Sequence, residues 1–429
     1  MAQTFILKDI SYLDSTSMKL SQGDIRITNG LITDISTELK INQDEIVIHS
    51  ENTIVFPGLV NAHLHPSKEI YGSILDSSPI DVVLDTVHKN NALEDSVGQY
   101  VASLKSLTAG LKKGVTLFGL FTSRIESDVR AASQAGIRCA INFCQSNQWV
   151  GSGKSPENKS AEKILREYLD AEKKYQSDLI TFSPSTASEL SADDALLLKL
   201  HQLASNKKKK LTLHIHEGKH QVSSHQKAYG MSGIERLASL KILDEHTTLI
   251  HSCHLSVTDL TILQSTKCNI IHCPVSNSFV GAGTLPLRSL LPEITVGLGT
   301  DAAMVNPSND LTFDALFTLY HHGDDNFSRK IDAASVLYML TEGGAKALGI
   351  KNVGRIENGF KADLIFFDKT HIDTDYINTP VSLLKMLNHE KPQQVMVNGE
   401  TIISNGRLVN PVLDNNKLEF SAIRRKLKA

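Results

Sequence analysis

Short apolar runs alternate with segments of helical periodicity over most of the chain. From about residue 57 to residue 350, eight such runs have the length and composition of buried strands, and apolar positions recur at helical spacing between them. The predicted strands are Leu59–Ala62, Val115–Phe121, Arg138–Phe143, Leu179–Ser183, Leu211–His214, Thr248–His251, Ile270–His272 and Thr295–Gly299. Eight strands that alternate with helices predict an α/β fold, a (β/α)8 barrel of the TIM type.

Both ends of the chain have the two-residue period of half-buried β-strands instead. Near the N-terminus, apolar and polar positions alternate around Asn29-Gly30 in "GDIRITNGLITDI". Near the C-terminus, they do so around Asn398-Gly399 in "PQQVMVNGETIISNGRLV". An Asn-Gly pair between two alternating runs is a strong hairpin signal, so we expect a β-hairpin at each end.

The length of the chain predicts more than one domain. A single hydrophobic core rarely serves more than about 250–300 residues, and this chain has 429. Because β patterns stand at both ends, we expect one small β-sandwich domain composed of residues 1–56 and 351–429. The barrel would then occupy residues 57–350.

The net charge and the cysteine content indicate which binding partners and which cellular compartment to expect. The net charge of −3 gives no electrostatic reason to expect a nucleic acid or an anionic membrane as partner. The five cysteines are odd in number and scattered through apolar runs, which is typical of a reducing compartment. The N-terminus lacks the pattern of a secretory signal, and no apolar stretch reaches the roughly 18 residues that span a bilayer. These observations predict a cytoplasmic protein.

Metal-ligating side chains stand at the ends of the predicted strands. Four strands end in histidine and a fifth in aspartate, at His63 and His65, His214, His251, His272 and Asp301. The carboxyl ends of the strands in a barrel share one face, which holds the active site. The pattern therefore predicts that these residues, distant in sequence, converge on one point.

The spacing of these residues indicates a mononuclear metal site. His63 and His65 are two residues apart, which places both on the same side of a strand. Together with His214 and Asp301 they give three nitrogen ligands and one oxygen ligand, a set that suits Zn²⁺ and also Fe²⁺ or Mn²⁺. One coordination position stays open for a water molecule, whose pKa the ion lowers.

Three residues near this site are candidates for proton transfer. Glu217 follows His214 by three residues, where its carboxyl group could pass a proton from the water to the substrate or leaving group. Asp301 would act as both ligand and base. His251 would stand beside the water and polarise the substrate or stabilise charge. Trp149, the only tryptophan, lies in a polar loop after the third strand and is a candidate for stacking on the substrate, with simple packing as the alternative.

Five motifs in this order resemble the amidohydrolase superfamily. They are "PGLVNAHLH" at 57–65, "LHIHEG" at 213–218, "IHSCHLS" at 250–256, "HCPVSN" at 272–277 and "GLGTDA" at 297–302. The His-x-x-Glu, HCP-x-SN and GTD motifs are similar to those of the aminohydrolase branch. That branch includes guanine deaminase, the methylthioadenosine/adenosylhomocysteine deaminases and the triazine hydrolases.

The resemblance implies the roles of individual residues. It implies that His63, His65, His214 and Asp301 bind one metal ion, that Glu217 shuttles protons and that His251 orients the water. Dinuclear members carry a bridging lysine at the end of strand four, and the corresponding segment here, "LITFSPSTAS", has none. His272 and Asn277 of the "HCPVSN" motif are further candidates for substrate contact. Members of the family are often homo-oligomers.

Two positions depart from the purine-directed relatives. Many of those carry a histidine or arginine after the proline of the strand-four motif, where this chain has Ser185, a further candidate for substrate contact. Lys68 stands where some cytosine- and creatinine-deaminase-like members place a lysine, and a surface lysine is an equal alternative. The departures favour an unusual heterocycle, with an anionic ring as one hypothesis.

The predicted function is hydrolytic deamination of an amino-substituted N-heterocycle, such as a purine, pyrimidine or pterin, with release of ammonia. The same site could instead hydrolyse a cyclic amide or dechlorinate a triazine. A non-catalytic barrel that serves as a scaffold is the distant alternative, because such relatives usually lose metal ligands and all four are present here.

Overall fold

The structure, a computed structural model, describes residues 4–49, 52–72, 78–90, 93–151, 158–323, 331–370 and 378–414. The first strands of the chain are β1 (Thr4–Asp14), β2 (Lys19–Thr28), β3 (Leu31–Ser36), β4 (Ile46–His49) and β5 (Thr53–Pro57). The barrel strands are β6 (Leu59–Leu64), β7 (Val115–Thr122), β8 (Arg138–Cys144), β9 (Ile180–Ser188), β10 (Leu211–Ile215), β11 (Thr247–His251), β12 (Asn269–His272) and β13 (Thr295–Leu298). The last strands are β14 (Leu364–Asp368), β15 (Gln394–Val397), β16 (Glu400–Ser404) and β17 (Arg407–Leu408).

Helices separate the barrel strands and follow the last of them. They are α1 (Ile80–Asn90), α2 (Ser96–Leu111), α3 (Ile125–Ala135), α4 (Ala161–Tyr175), α5 (Asp194–Lys207), α6 (Lys219–Tyr229), α7 (Gly233–Ser239), α8 (Val257–Gln264), α9 (Pro274–Phe279), α10 (Leu287–Leu290), α11 (Leu311–His321), α12 (Ala333–Tyr338), α13 (Gly344–Ala347) and α14 (Pro380–His389). Short 3-10 helices span Pro66–Ile70 and Pro411–Asp414, and a π-helical turn spans Met339–Gly343. Among the residues that the structure describes, none of these helices has both the length and the apolarity to cross a membrane.

Strands β6 to β13 form one parallel sheet in sequence order, which confirms the predicted eight-stranded barrel. All eight predicted strands coincide with observed ones. The barrel closes where the segment after β13 meets β6. A Cβ at Gly299 would lie 2.7 Å from Cβ of His63, so glycine is required for this close approach. Two residues later the backbone N–H of Asp301 donates to the carbonyl of His63 over 3.0 Å, which sets these two side chains together.

Strands from both ends of the chain join in a second, mixed sheet, in the order β17-β16-β15-β14-β5-β1-β2-β3, with β4 paired to β1. Its buried side chains include Phe5, Ile25, Val55, Leu364 and Met396, which form one apolar cluster. Because residues from both ends share this cluster and this hydrogen-bonded sheet, neither end can bury its apolar face without the other. The composite sheet expected from the sequence is confirmed.

The two predicted hairpin turns lie against each other. Positive φ is found at both residues of each turn, as a tight two-residue hairpin turn requires: Asn29, Gly30, Asn398 and Gly399. A Cβ at Gly30 would lie 2.3 Å from the carbonyl oxygen of Asn398, so the contact leaves room for glycine only. Each turn therefore reverses the chain, and the contact between the two turns also joins the N-terminal and C-terminal parts of the end sheet.

A buried ion pair joins the end sheet to the barrel. Arg138, the first residue of β8, donates from Nε and Nη2 to the two carboxylate oxygens of Asp363 over 2.7 and 3.0 Å. Asp363 precedes β14 and also accepts from the backbone N–H of Asn398 at 2.7 Å. Both charged side chains are buried, so the pair stays intact only while the two sheets remain in contact.

Candidate active site

The four predicted metal ligands converge at the carboxyl ends of the barrel strands. Nε2 of His63 and Nε2 of His214 lie 3.2 Å apart. Oδ1 of Asp301 lies 3.5 Å from Nε2 of both His63 and His65. The structure thus brings together residues from distant parts of the chain. Two overlapping groups of three could hold a metal ion: His63, His65 and His214, and His63, His251 and Asp301.

Strained backbone at two strand ends aims side chains into this space. His251 and Asp301 have φ values of 72° and 62°, in the left-handed region that L-residues seldom adopt. Such conformations cost of order 1–3 kcal/mol each and are found mostly at functional sites. At Asp301 the hydrogen bond to His63 fixes this conformation. The strain therefore serves to turn the side chains of His251 and Asp301 toward the rest of the site.

The donor set fits a divalent cation. Nδ1 of His214 donates to the carbonyl of Ala187 at 2.7 Å, so its Nε2 presents a lone pair toward Nε2 of His63. Hydrogen bonding of the outer nitrogen is the usual way in which proteins orient a metal-binding imidazole. Burial lowers the pKa of His65 to about 3 and also lowers the pKa of His63 and His214, which keeps the rings neutral as metal ligation requires.

The carboxylate of Asp301 is held by two further donors. Oγ of Ser276 donates to Oδ2 at 2.7 Å, and the backbone N–H of Ala302 donates to Oδ1 at 2.7 Å. Ser276 belongs to the "HCPVSN" motif, but its function was not evident from the sequence. These bonds stabilise the ionised carboxylate and fix its orientation next to the histidines.

Glu217 and His251 face each other beside the ligand set. Oε1 of Glu217 lies 3.6 Å from Nε2 of His251, and Oδ2 of Asp301 lies 4.0 Å from the same nitrogen. Burial raises the pKa of Glu217, so its proton affinity is higher than that of an exposed glutamate. Gln221, one turn into α6, donates to the other carboxylate oxygen at 3.4 Å. The carboxylate of Glu217 and the imidazole of His251 therefore form one polar pair next to the ligand set.

A cavity of about 240 Å³ opens onto this site. Helix α1 supplies an apolar wall, together with side chains that follow the barrel strands. The apolar lining residues are Ile80, Val83, Leu84, Val87, Phe121, Met304 and Val305. The polar and charged ones include His65, Lys68, Arg124, His214, Glu217, Gln221 and Asp301. An apolar cavity with a few converging polar groups is typical of a small-molecule site.

The predicted substrate residues divide into two groups. Lys68 and Trp149 line the cavity. Ser185, His272 and Asn277 are almost fully buried and are not among the described residues that line it. Ser185 lies within β9, whose later residues Ala187 and Ser188 reach the cavity instead.

His272 and Asn277 contact other side chains near the site. Nε2 of His272 lies 3.0 Å from Nε2 of His322, the residue that follows α11. Oδ1 of Asn277 lies 2.8 Å from Nδ1 of His251. These contacts place Asn277 behind a candidate catalytic residue, where it can set the orientation of His251.

Only 7% of the surface of Lys68 is exposed. This burial excludes the alternative of a surface lysine. Its Nζ lies 2.7 Å from Oε1 of Glu94, and Nη2 of Arg124 lies 2.6 Å from Oε2. The hydroxyl of Tyr71 donates to the same carboxylate at 2.5 Å. Burial lowers the pKa of Lys68 to about 7. Arg124 was missed in the sequence, although it follows the end of β7 by two residues and the rule of strand ends would have included it.

Comparison with known proteins agrees with this geometry. A model of the amidohydrolase family matches residues 54–402. The 5-methylthioadenosine/S-adenosylhomocysteine deaminase of Carboxydothermus hydrogenoformans is 26% identical to the chain, over 99% of this chain and 98% of the relative. The 5'-deoxyadenosine deaminase of Methanosphaera stadtmanae is also 26% identical, over 84% of each chain.

A solved structure shows the same fold. The zinc complex of atrazine chlorohydrolase TrzN from Arthrobacter aurescens TC1 superposes with a TM-score of 0.89 and 19% identity, covering 98% of this chain and all of the other. The family resemblance predicted from the five motifs is confirmed, because the matching family model spans most of the chain. The chain belongs to the amidohydrolase family.

Proposed function

We propose that this protein is a metal-dependent hydrolytic deaminase of an amino-substituted N-heterocycle. The observation that carries the proposal is the position of Glu217, whose carboxylate faces His251 over 3.6 Å and lines the same cavity as His65, His214 and Asp301. A deaminase needs such a group, because ammonia leaves only after the amino nitrogen has gained a proton. The deaminase names of the two relatives support the assignment.

His63, His65, His214 and Asp301 would hold the metal ion. Three neutral imidazoles and one carboxylate suit a single Zn²⁺, with Fe²⁺ and Mn²⁺ as alternatives. The zinc in the TrzN complex supports zinc. When bound, the cation supplies Lewis-acid activation of a water molecule. The absence of a lysine in β9 supports a single ion.

The residues of the chain then move two protons. Glu217 starts protonated and donates its proton to the ring nitrogen next to the amino-bearing carbon, while Asp301 accepts the first proton of the water. The water oxygen adds to that carbon, the second proton of the water goes to the amino group, and the carbon–nitrogen bond breaks with release of ammonia. The proton held by Asp301 then returns to Glu217. His251 orients the water, since its Nε2 lies within 4.0 Å of both carboxylates. The products are a ring carbonyl and ammonia, which balance the amine and the water consumed.

The other hydrolytic activities use the same site on a different bond. Dechlorination of a triazine is the second candidate, since the superposed TrzN is named a chlorohydrolase. Chloride departs without a proton, however, so the buried carboxyl group of Glu217 is better explained by ammonia release. A scaffold without activity is disfavoured, because all four predicted ligands belong to groups whose ligand atoms lie close enough together to hold a metal ion.

The proposal is tested by measuring ammonia release from a panel of aminopurines, aminopyrimidines, pterins, creatinine-like rings and triazines, with enzyme of known metal content. We expect ammonia from at least one member, and loss of that activity on chelation with recovery on adding Zn²⁺. Ring opening or chloride release without ammonia, or full activity in the metal-free protein, would contradict it.

A further inference from the structure

The backbone bends at His216, which lies between the predicted metal ligand His214 and Glu217 in sequence. Successive residues of an extended strand face opposite sides, so His214 and His216 would share one side and Glu217 would face the other. In the structure His214 and Glu217 line the same cavity, and His216 is not among the described residues that line it. The change of side occurs because β10 ends at Ile215 and His216 has a φ of 48°, in the left-handed region.

The polar groups of His216 all have partners in the protein. Its ring Nδ1 donates to the carbonyl oxygen of His254 at 3.0 Å, and its Nε2 accepts from the backbone N–H of Gly233 at 3.0 Å. Its carbonyl oxygen accepts from the backbone N–H groups of Cys253 and His254. His216 has no exposed surface and both of its ring nitrogens are occupied, so its side chain is not available to a metal ion or a substrate.

The remaining polar group of His216, its backbone N–H, donates to Oε1 of Glu189 over 3.0 Å. Glu189 directly follows β9 and is only 1% exposed. Its other carboxylate oxygen, Oε2, is buried and has no hydrogen-bond partner among the described residues. Burial of a carboxyl group is unfavourable unless hydrogen bonds compensate it, and the bond described for this side chain is the one to the bend. Glu189 is therefore placed to stabilise the left-handed conformation of His216, which is unfavourable for a histidine.

We propose that Glu189 is a positioning residue for the reaction, because it fixes the bend at His216 and the bend directs Glu217 into the cavity. The inference rests on the proposed proton transfer by Glu217. Glu189 itself is not among the described residues that line the cavity, so it acts through the backbone. The reach of its side chain should then matter more than its charge, because a neutral oxygen at the same place accepts the same hydrogen bond.

Two conservative variants separate the reach of the side chain from its charge. Glu189→Gln keeps an oxygen at the same distance and should retain kcat to within about threefold. Glu189→Asp keeps the carboxylate but is shorter by a methylene group. It should withdraw the acceptor and lower kcat about 10- to 100-fold, as displacement of a reacting group by about 1 Å does, with little change in KM or metal content. Equal kcat values in the two variants, or a larger loss in Glu189→Gln, would overturn the proposal.

Glu172→Asp is the matched control for the shortened side chain. Glu172 is also buried, and it accepts from Nζ of Lys209 over 3.1 Å outside the described lining of the cavity. We expect this variant to lower the Tm without changing kcat. A loss of kcat as large as in Glu189→Asp would show that shortening any buried glutamate has this effect, and would overturn a specific function of Glu189.

A double-mutant cycle tests whether Glu189 acts through Glu217. In enzyme that already carries Glu217→Gln, Glu189→Asp should lower the remaining kcat by less than about threefold, because the group that the bend positions no longer transfers protons. The same fold loss in both backgrounds would show that Glu189 acts on another part of the protein, as a merely structural residue would, and would overturn the proposal.

Crystal structures of the variants separate failure of the positioning function from failure of the deaminase function. The distance of 3.6 Å between Oε1 of Glu217 and Nε2 of His251 should be retained in Glu189→Gln and should change by about 1 Å in Glu189→Asp. If this displacement occurs but the unmodified enzyme forms no ammonia from any substrate of the panel, the positioning function stands and the deaminase assignment fails. If ammonia is formed and Glu189→Asp keeps both the distance and kcat, the positioning function fails alone.

Discussion

Nδ1 of His251 lies 2.8 Å from Oδ1 of Asn277, and neither residue is exposed to solvent beyond 1%. Asn277 lies on α9, the short helix that follows the next strand, so the hydrogen bond crosses from one β-strand end to its neighbour. It fixes the ring whose other nitrogen faces Glu217. We therefore propose that Asn277 is a positioning residue that acts through His251.

Replacing Asn277 with alanine should lower kcat about 10- to 100-fold while the bound metal remains, since loss of a partner that orients an active-site histidine has costs of this size. The measurements are steady-state kinetics and metal content. Asn277→Asp retains an acceptor and should recover part of the rate. The control is Asn269→Ala, a buried asparagine on β12 that contacts the carbonyl of Thr247. A loss of kcat no larger than in that control would contradict the positioning function.

Glu217→Gln should lower kcat by about 10²- to 10⁴-fold, because it removes a general acid–base group and leaves a side chain of nearly the same shape. The metal content should not change, since Glu217 is not one of the four ligands. Glu162→Gln, the same change at an exposed site on α4, provides the control. Near-normal turnover by the metal-loaded Glu217 variant would exclude proton transfer by this residue.

Arg138→Met should lower the free energy of unfolding by about 3–5 kcal/mol, because it leaves the buried carboxylate of Asp363 without its cation. Equilibrium unfolding in urea measures this. The comparison is Lys199→Met, which removes the cation of a pair whose members, Lys199 and Glu162, are both more than one-third exposed. We expect no measurable change there, as is usual for surface ion pairs. Similar effects of the two substitutions would show that the ion pair between Arg138 and Asp363 contributes little to the free energy of unfolding.

The stability of the end sheet should depend on pH through Asp24. Burial opposes ionisation of this carboxyl group, but hydrogen bonds from Lys8 and from the backbone N–H groups of Asp9 and Leu39 outweigh it and lower its pKa below the ordinary 3.8. A pKa lowered by folding stabilises the protein above the ordinary value, and that contribution is lost as the pH falls through the folded value.

Asp24→Asn should accordingly reduce the free energy of unfolding by about 1–3 kcal/mol at pH 7, and the difference from the unmodified protein should shrink below pH 3.8. Denaturant unfolding of both proteins between pH 3 and pH 7 measures this difference in the free energy of unfolding. Asp34→Asn is the matched control, as Asp34 pairs with Arg26 at the surface. A difference that stays constant over the whole pH range would contradict the assignment to Asp24 ionisation.

The barrel and the ligand set were predictable because both follow local rules. Each barrel strand is a short apolar run, and its last residues face the active site, so His63, His214 and Asp301 could be assigned from the position at which their strands end. The Asn29-Gly30 turn was predictable for a similar reason, since few residue pairs adopt its backbone conformation. The domain boundaries at residues 56 and 351 remain a prediction. Strands β5 and β14, which lie on either side of the barrel in sequence, pair with each other in the end sheet.

The surroundings of the site depend on contacts that no local pattern carries. Glu94 lies between α1 and α2, and nothing in the neighbouring sequence connects it with Lys68 or Arg124. The "HCPVSN" motif indicated substrate contact for Asn277, but its side chain contacts His251 from behind, because α9 begins immediately after β12. Pairings of this kind depend on the three-dimensional path of the chain, which the spacing of residues does not specify.

The most direct test of a metal-dependent deaminase measures ammonia release while Zn²⁺ is added to metal-free enzyme, using the substrate that the panel identifies. We expect the rate to rise from near zero and to reach its maximum at one Zn²⁺ per chain, with one ammonia formed for each substrate consumed. Ammonia release that is independent of added metal, or substrate consumption without ammonia, would contradict a metal-dependent deaminase.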